Sequence, residues 1–298
     1  MRRPFGRLFH VWRVPMTQEN YPRCLANTLR EEGGWTNDPR DPGGPTMRGI
    51  IQREYTRWRT KHGLPDRSVR NISEEELQDI YRGNYWVPMV GDAWPKGPDQ
   101  IVFDIAVNSG TGRAPQIMGA AIGVSTRNPK ELAALASRSA DTVGIVKRAC
   151  ARRASFYRSL RTFSAFGRGW LSRNARMEAI GVKMALEAQG AADIAGRLAR
   201  EASGAQRSAK RSGSAAATAG GGTAAGTGSL TQADAASFDW TSWLTLGVVT
   251  LCVGALTLTL VWAWRRHGER ARAYAAALAG ELEADLSALI GTIKEAAQ

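Results

Sequence analysis

Apolar residues recur at helical spacing along most of this chain and alternate at strand spacing almost nowhere, which predicts a mainly α protein with a small β element. The first helix is expected from Asn20 to Glu32, with Asn20 as cap, Pro22 in the first turn and Gly33-Gly34 as the stop. Residues 35–51 hold Asn37-Asp38-Pro39, Asp41-Pro42-Gly43-Gly44 and Pro45, the composition of turns and a short hairpin. A second helix follows over Ile50–His62. Ser73-x-x-Glu76 is a capping box that opens a third, running to about Tyr85. Residues 88–98 form a loop, and the apolar run Gln100–Val107 is helical until Asn108-Ser109-Gly110 breaks it. Further helical patterns cover Ala114–Ile122, Pro129–Ser137, Asp141–Tyr157 and Leu171–Gln189.

The composition then changes. Residues 203–229 contain no aromatic or large aliphatic side chain, so the stretch 203–239 is expected to be a flexible linker. From Trp243 to Trp264 no residue is charged, and tryptophans stand at both ends. At about 1.5 Å per residue that run is long enough for about 30 Å of hydrocarbon, which predicts a transmembrane helix over 240–264. Arg265, Arg266, Arg270 and Arg272 follow it, and residues 223–242 carry no Lys or Arg. The positive-inside rule therefore predicts a single-pass inner-membrane protein with its catalytic part periplasmic and its C-terminus cytoplasmic. In the tail, 265–298, Leu278, Leu282, Leu286, Leu289 and Ile293 form an amphipathic stripe suited to membrane lipid or to self-association. Residues 1–19 are a basic arm without the unbroken apolar core of a cleavable leader.

The net charge of +13 calls for a polyanionic partner, and nucleic acid, anionic lipid and wall polymer would all serve. No basic-aromatic motif of a nucleic-acid binder is present, so a nucleic-acid partner is not expected. The three cysteines (Cys24, Cys150, Cys252) and three histidines (His10, His62, His267) are scattered, without the spacing of a zinc site. Neither metal nor other cofactor is expected.

Chemistry concentrates in one place, Glu31-Glu32-Gly33-Gly34 and the loop after it. At about 100° per residue, Leu25, Leu29 and Glu32 share one helix face, while Glu31 is turned away. Burial at the negative end of a helix favours the neutral acid, the form in which a general acid must wait. A glycosidase needs a second group to act as nucleophile, base or charge stabiliser. Asp41 and Thr46 are the candidates, and Asp38 is the rival that a turn-capping role demotes. On residue types alone, an acid pair before two glycines is equally a plain helix end.

The block EGGWTNDPRDPGGPTMRGI, residues 32–50, resembles the signature of the glycoside hydrolase 108 family, N-acetylmuramidases of the lysozyme-like superfamily. The Glu–Asp–Thr order also resembles that of phage lysozymes. The resemblance implies a lysozyme-like α+β catalytic part over 20–100, with Glu32 as the catalytic acid and Asp41 and Thr46 as its partners. Tyr85-Trp86-Val87-Pro88 and residues 102–124 resemble the peptidoglycan-binding half of that family, giving a helical wall-binding part over 101–202. In this half Asn108 and Arg113 are candidate substrate contacts, or alternatively parts of a helix break. Trp86, with Tyr85, either stacks on sugar rings or belongs to the core.

The expected function is thus a membrane-anchored muramidase that cleaves the β-1,4 bond between N-acetylmuramic acid and N-acetylglucosamine in peptidoglycan glycan strands. A lytic transglycosylase acting on the same bond, and a non-catalytic wall-binding scaffold, are the alternatives.

Overall fold

A computed structural model describes residues 20–37, 44–227 and 240–296. The chain divides into two compact units. One holds the residues up to Pro95 with Val102–Gln116 and Thr126–Ser139; the other holds Lys96–Ile101, Ile117–Ser125 and the chain from Ala140 onward. The border expected near residue 100 thus falls inside a helix. The basic arm of residues 1–19 lies outside the described residues.

The first unit starts with helix α1 (Asn20–Leu29) and a three-stranded antiparallel sheet of β1 (Trp35–Thr36), β2 (Thr46–Met47) and β3 (Ile50–Ile51), paired in that order. Helices α2 (Gln52–Lys61) and α3 (Glu74–Tyr81) follow, and α3 runs directly into a π-helical turn, Arg82–Trp86. The unit also takes in most of α4 (Pro98–Ser109), the start of α5 (Arg113–Ile122) and α6 (Pro129–Ser137). Its core is aromatic: Trp86 packs on Tyr21 at 5.2 Å and on Phe103 at 5.5 Å between ring centroids. Trp86 Nε1 donates to Asp92 at 2.9 Å, so the buried indole leaves no polar atom unmet. The predicted capping box is present, with Glu76 bonded to the Ser73 backbone and Ser73 Oγ accepting from Glu76 N.

Glu76 does more than cap. It accepts from Tyr55 Oη at 2.6 Å and pairs with Arg59 and Arg67, tying α3 to α2 and to the loop between them. Burial works against its charge, but the Ser73 amide, the Tyr55 hydroxyl and the two guanidiniums hold the carboxyl below the usual range.

The second unit is built on α7 (Thr142–Arg158), α8 (Phe163–Ala188), α9 (Ile194–Thr227) and α10 (Trp240–Ala296). Two expectations are corrected here. Residues 203–227 are helical rather than a linker. Alanine is the strongest helix former, and the small residues let α10 come close: a Cβ on Gly213 would lie 3.1 Å from the Trp264 ring.

The second correction concerns the membrane. Among the described residues no helix is long and apolar enough to cross one, which overturns the transmembrane helix over 240–264 and the single-pass inner-membrane location and topology drawn from it. The expected membrane span and tail are one continuous helix that packs on protein. Arg158 donates to Thr259 at 3.0 Å and sits over the Trp262 ring at 4.9 Å. Farther along, the buried Glu178 accepts from Arg270 at 2.8 and 2.6 Å and from Tyr274 at 3.0 Å. Charged groups of this kind are costly beside lipid and suit a packed helical bundle. Lipid contact and self-association through the tail gain no support: among the described residues of the tail Ala273 and Tyr274 are buried, while Leu282 is exposed.

Candidate active site

Sheet register sets the geometry. Thr46 pairs with both Thr36 and Ile51, and Met47 with both Trp35 and Ile50, which leaves Arg48-Gly49 as a two-residue turn between β2 and β3. Both have positive φ, 48° and 81°, the signature of a type I′ turn, whose twist matches that of the strands. Glycine suits the second position. Arginine at the first is strained, and three contacts hold it there. Its amide donates to Gly34 O at 3.4 Å, its carbonyl accepts from Tyr81 Oη at 2.8 Å, and its guanidinium pairs with Glu74 at 2.6 Å.

Glu32 meets this turn. Helix α1 ends at Leu29, three residues before the expected stop, and the amides of Glu31 and Glu32 bond back to Thr28 O and Leu29 O as the chain leaves it. Helical phase therefore does not select between the two acids, because neither lies in the helix. Proximity to the hairpin does. A Cβ built on Gly49 would stand 2.5 Å from Tyr81 Oη and 3.1 Å from Glu32 Oε2, so the absent side chain is the space these two groups occupy. Glu32 is half-buried there.

Thr46 lies one strand position from that turn, half-buried, and its hydroxyl donates to Gly44 O at 2.9 Å. A hydroxyl so committed as donor offers lone pairs to whatever approaches it. Asp41 falls in the connection from β1 to β2, and both it and its rival Asp38 lie outside the described residues.

Of the groups beyond Gly49 the sequence singles out Tyr85, as sugar-stacking or core, but not Tyr81 or Glu54. Tyr85, on the π-helical turn, stacks obliquely on Tyr81 at 5.6 Å. Burial, then the charges of Glu54 and Glu32, push its hydroxyl up to about 12. Glu54 of α2 is itself raised by burial, against the hydrogen bond from Asn84 and the charge of Arg57. The detectable signal was the capping box: it fixes the phase of α3 from Ser73, and a π turn then shifts every later side chain by one position.

The three residues expected to bind substrate separate. Trp86 is 0 % exposed and offers no face to a sugar, so it is a core residue, correcting the expectation of contact. Asn108, at the end of α4, is exposed and accepts from Ser109 Oγ. Arg113 is exposed and donates to Gln116 at 2.7 Å. Among the described residues no cluster of His, Cys, Asp and Glu is arranged to hold a metal ion.

Comparison with known proteins bears on the same stretch. No curated protein matches the chain. Among solved structures, SagA of Brucella abortus aligns at 29% identity with a TM-score of 0.48, over 56% of this chain and 97% of that one. The glycosyl hydrolase 108 family model matches residues 25–110, from within α1 to just past α4. The match does not extend over the rest of the chain, and the wall-binding half expected over 101–202 gains no support from it. The match to the glycosyl hydrolase 108 model over residues 25–110, from within the first helix through the hairpin to just past α4, makes the protein a glycoside hydrolase of the lysozyme type.

Proposed function

We propose that this enzyme is a peptidoglycan hydrolase of the N-acetylmuramidase kind, cleaving the β-1,4 bond between N-acetylmuramic acid and N-acetylglucosamine, with Glu32 as the general acid. The observation that carries the reading is the seat of Glu32, half-buried with its carboxylate against the Gly49 turn, inside the stretch that matches a glycosidase family. Glu32 gives its proton to the glycosidic oxygen as the bond breaks, and the sugar left behind carries developing positive charge. Asp41, on the β1–β2 connection, supplies the negative charge that stabilises it. Thr46, its hydroxyl already donating to Gly44 O, accepts a hydrogen bond from the attacking water and turns a water lone pair toward the sugar, and the Asp41 carboxylate takes up the proton the water loses as it adds. The net charge of +13 favours encounter with an anionic wall.

The test is digestion of purified sacculi with the full chain, its Glu32→Gln variant and Glu31→Gln as control. Glu32→Gln is expected to lower muropeptide release by roughly a thousandfold, within the range of general-acid catalysis, with little change on Glu31→Gln. Reducing ends on the products indicate hydrolysis, and 1,6-anhydro ends would indicate transglycosylation instead. Lysis retained by Glu32→Gln refutes the assignment of the acid.

A further inference from the structure

The side chains gathered by the π-helical turn have no role in the mechanism above, yet they adjoin it. Asn84 is exposed and donates to Glu54 Oε1 at 2.5 Å, fastening the turn to α2. Tyr85, next to it, is half-buried against Tyr81, the residue whose hydroxyl shares the Gly49 space with Glu32.

The tyrosines of this unit differ in one respect. Tyr21 Oη donates to Gln78 O, Tyr55 Oη to Glu76 and Tyr81 Oη to Arg48 O. The Tyr85 hydroxyl has no hydrogen-bond partner among the described residues, although the charges of two carboxylates, Glu54 and Glu32, both act on it. That hydroxyl is not among the buried groups left without a partner, so it faces solvent, where a ligand can take the place of water.

An unused donor, a carboxylate with one oxygen still open, an exposed amide and an aromatic ring together suit a ligand that is dense in hydroxyls. Each hydroxyl of a sugar both gives and accepts a hydrogen bond, and one face of a pyranose is C–H surface that covers an aromatic ring. We propose that Glu54, Asn84 and Tyr85 form a saccharide subsite beside Glu32 that takes one pyranose ring of the glycan. Glu54 accepts from the sugar, Tyr85 donates to it and Asn84 fixes Glu54 in place. The proposal rests on the glycan-cleaving reading above.

The test uses the full chain carrying Glu32→Gln, so that ligand is not consumed, titrated calorimetrically with N-acetylchitotetraose. Adding Tyr85→Phe or Glu54→Gln, which keep shape and remove one hydrogen-bonding capacity, is expected to weaken binding roughly tenfold. In the active background KM for soluble glycan strands rises by a similar factor and kcat falls by less, while the melting temperature holds. Asn84→Ala, at an exposed position, gives a second measure should Glu54→Gln unfold. Undiminished affinity in all three variants overturns the subsite, as does a parent that binds no chito-oligosaccharide, or a fall in kcat with KM unmoved. If Glu32→Gln still cleaves, the acid is misassigned, and the Tyr85→Phe and Glu54→Gln affinities decide the subsite independently.

Discussion

Gly49→Ala is the substitution on which the site geometry stakes most. At φ +81° an L-residue costs roughly 1–2 kcal/mol more than glycine. The new methyl would arrive 2.5 Å from Tyr81 Oη, far inside contact, so Tyr81 must give up its 2.8 Å bond to Arg48 O or swing away. That bond is worth about 1 kcal/mol. The loss of stability is then roughly 2–3 kcal/mol, read as a lower urea midpoint at unchanged slope. Glu32 Oε2 lies 3.1 Å from the methyl and must shift by a few tenths of an ångström. Displacement of the proposed acid on that scale is expected to lower turnover by roughly tenfold or more. Muropeptide release and urea unfolding are measured on the same preparations. Tyr81→Phe removes the clashing oxygen, so Gly49→Ala should cost about 1 kcal/mol less in that background, a coupling that a double-mutant cycle isolates. Wild-type stability and activity in Gly49→Ala, or strict additivity with Tyr81→Phe, would refute the packing of Glu32 and Tyr81 against the turn.

Three further outcomes follow from the packing. Because the folded pKa of Glu76 lies below its unfolded value of about 4.3, its contribution is complete above that pH and is lost as pH falls through the lower folded value. Glu76→Gln should therefore cost roughly 3 kcal/mol near neutrality and flatten the acid loss of stability, measured by urea unfolding at both ends of that window; an unchanged acid profile counts against the network. Glu178→Gln leaves the half-buried Arg270 with a neutral partner and is expected to cost roughly 3 kcal/mol by thermal unfolding, whereas exchanging both residues for methionine costs less. Trp86→Phe, losing the bond to Asp92 and some core volume, should lower stability and leave oligosaccharide affinity unaltered; an affinity loss in a folded variant would return Trp86 to the binding surface.

Local rules carried far along the first unit. The Ser73–Glu76 capping box, the turn-rich stretch before α2 and the helical segments up to residue 189 were legible because each depends on neighbours within a few positions. Where the reading failed, the deciding contacts were distant. An alanine-rich stretch looks like a linker by composition and is a helix where another helix lies against it. The apolar run after Trp240 looks like a membrane span until Arg158, Glu178 and the small residues of α9 meet the helix that contains it.

The acid itself shows how an expectation can outlive the warrant it was drawn from. Phase on a helix favoured Glu32 over Glu31, but the helix ends at Leu29 and both acids lie in the exit from it. What distinguishes Glu32 is the return of the chain. The β1–β2–β3 register brings Arg48-Gly49 back to the two glycines that follow the acid pair, and Arg48 N bonds Gly34 O across that gap. Gly49 leaves the bulk out and Gly44, at a φ of 73°, avoids the strain where the hairpin lies against this carboxylate. Neither the Gly49 space nor the Tyr85 hydroxyl can be inferred from spacing. Both arise only when α3 passes into its π turn and lays two tyrosines along the hairpin.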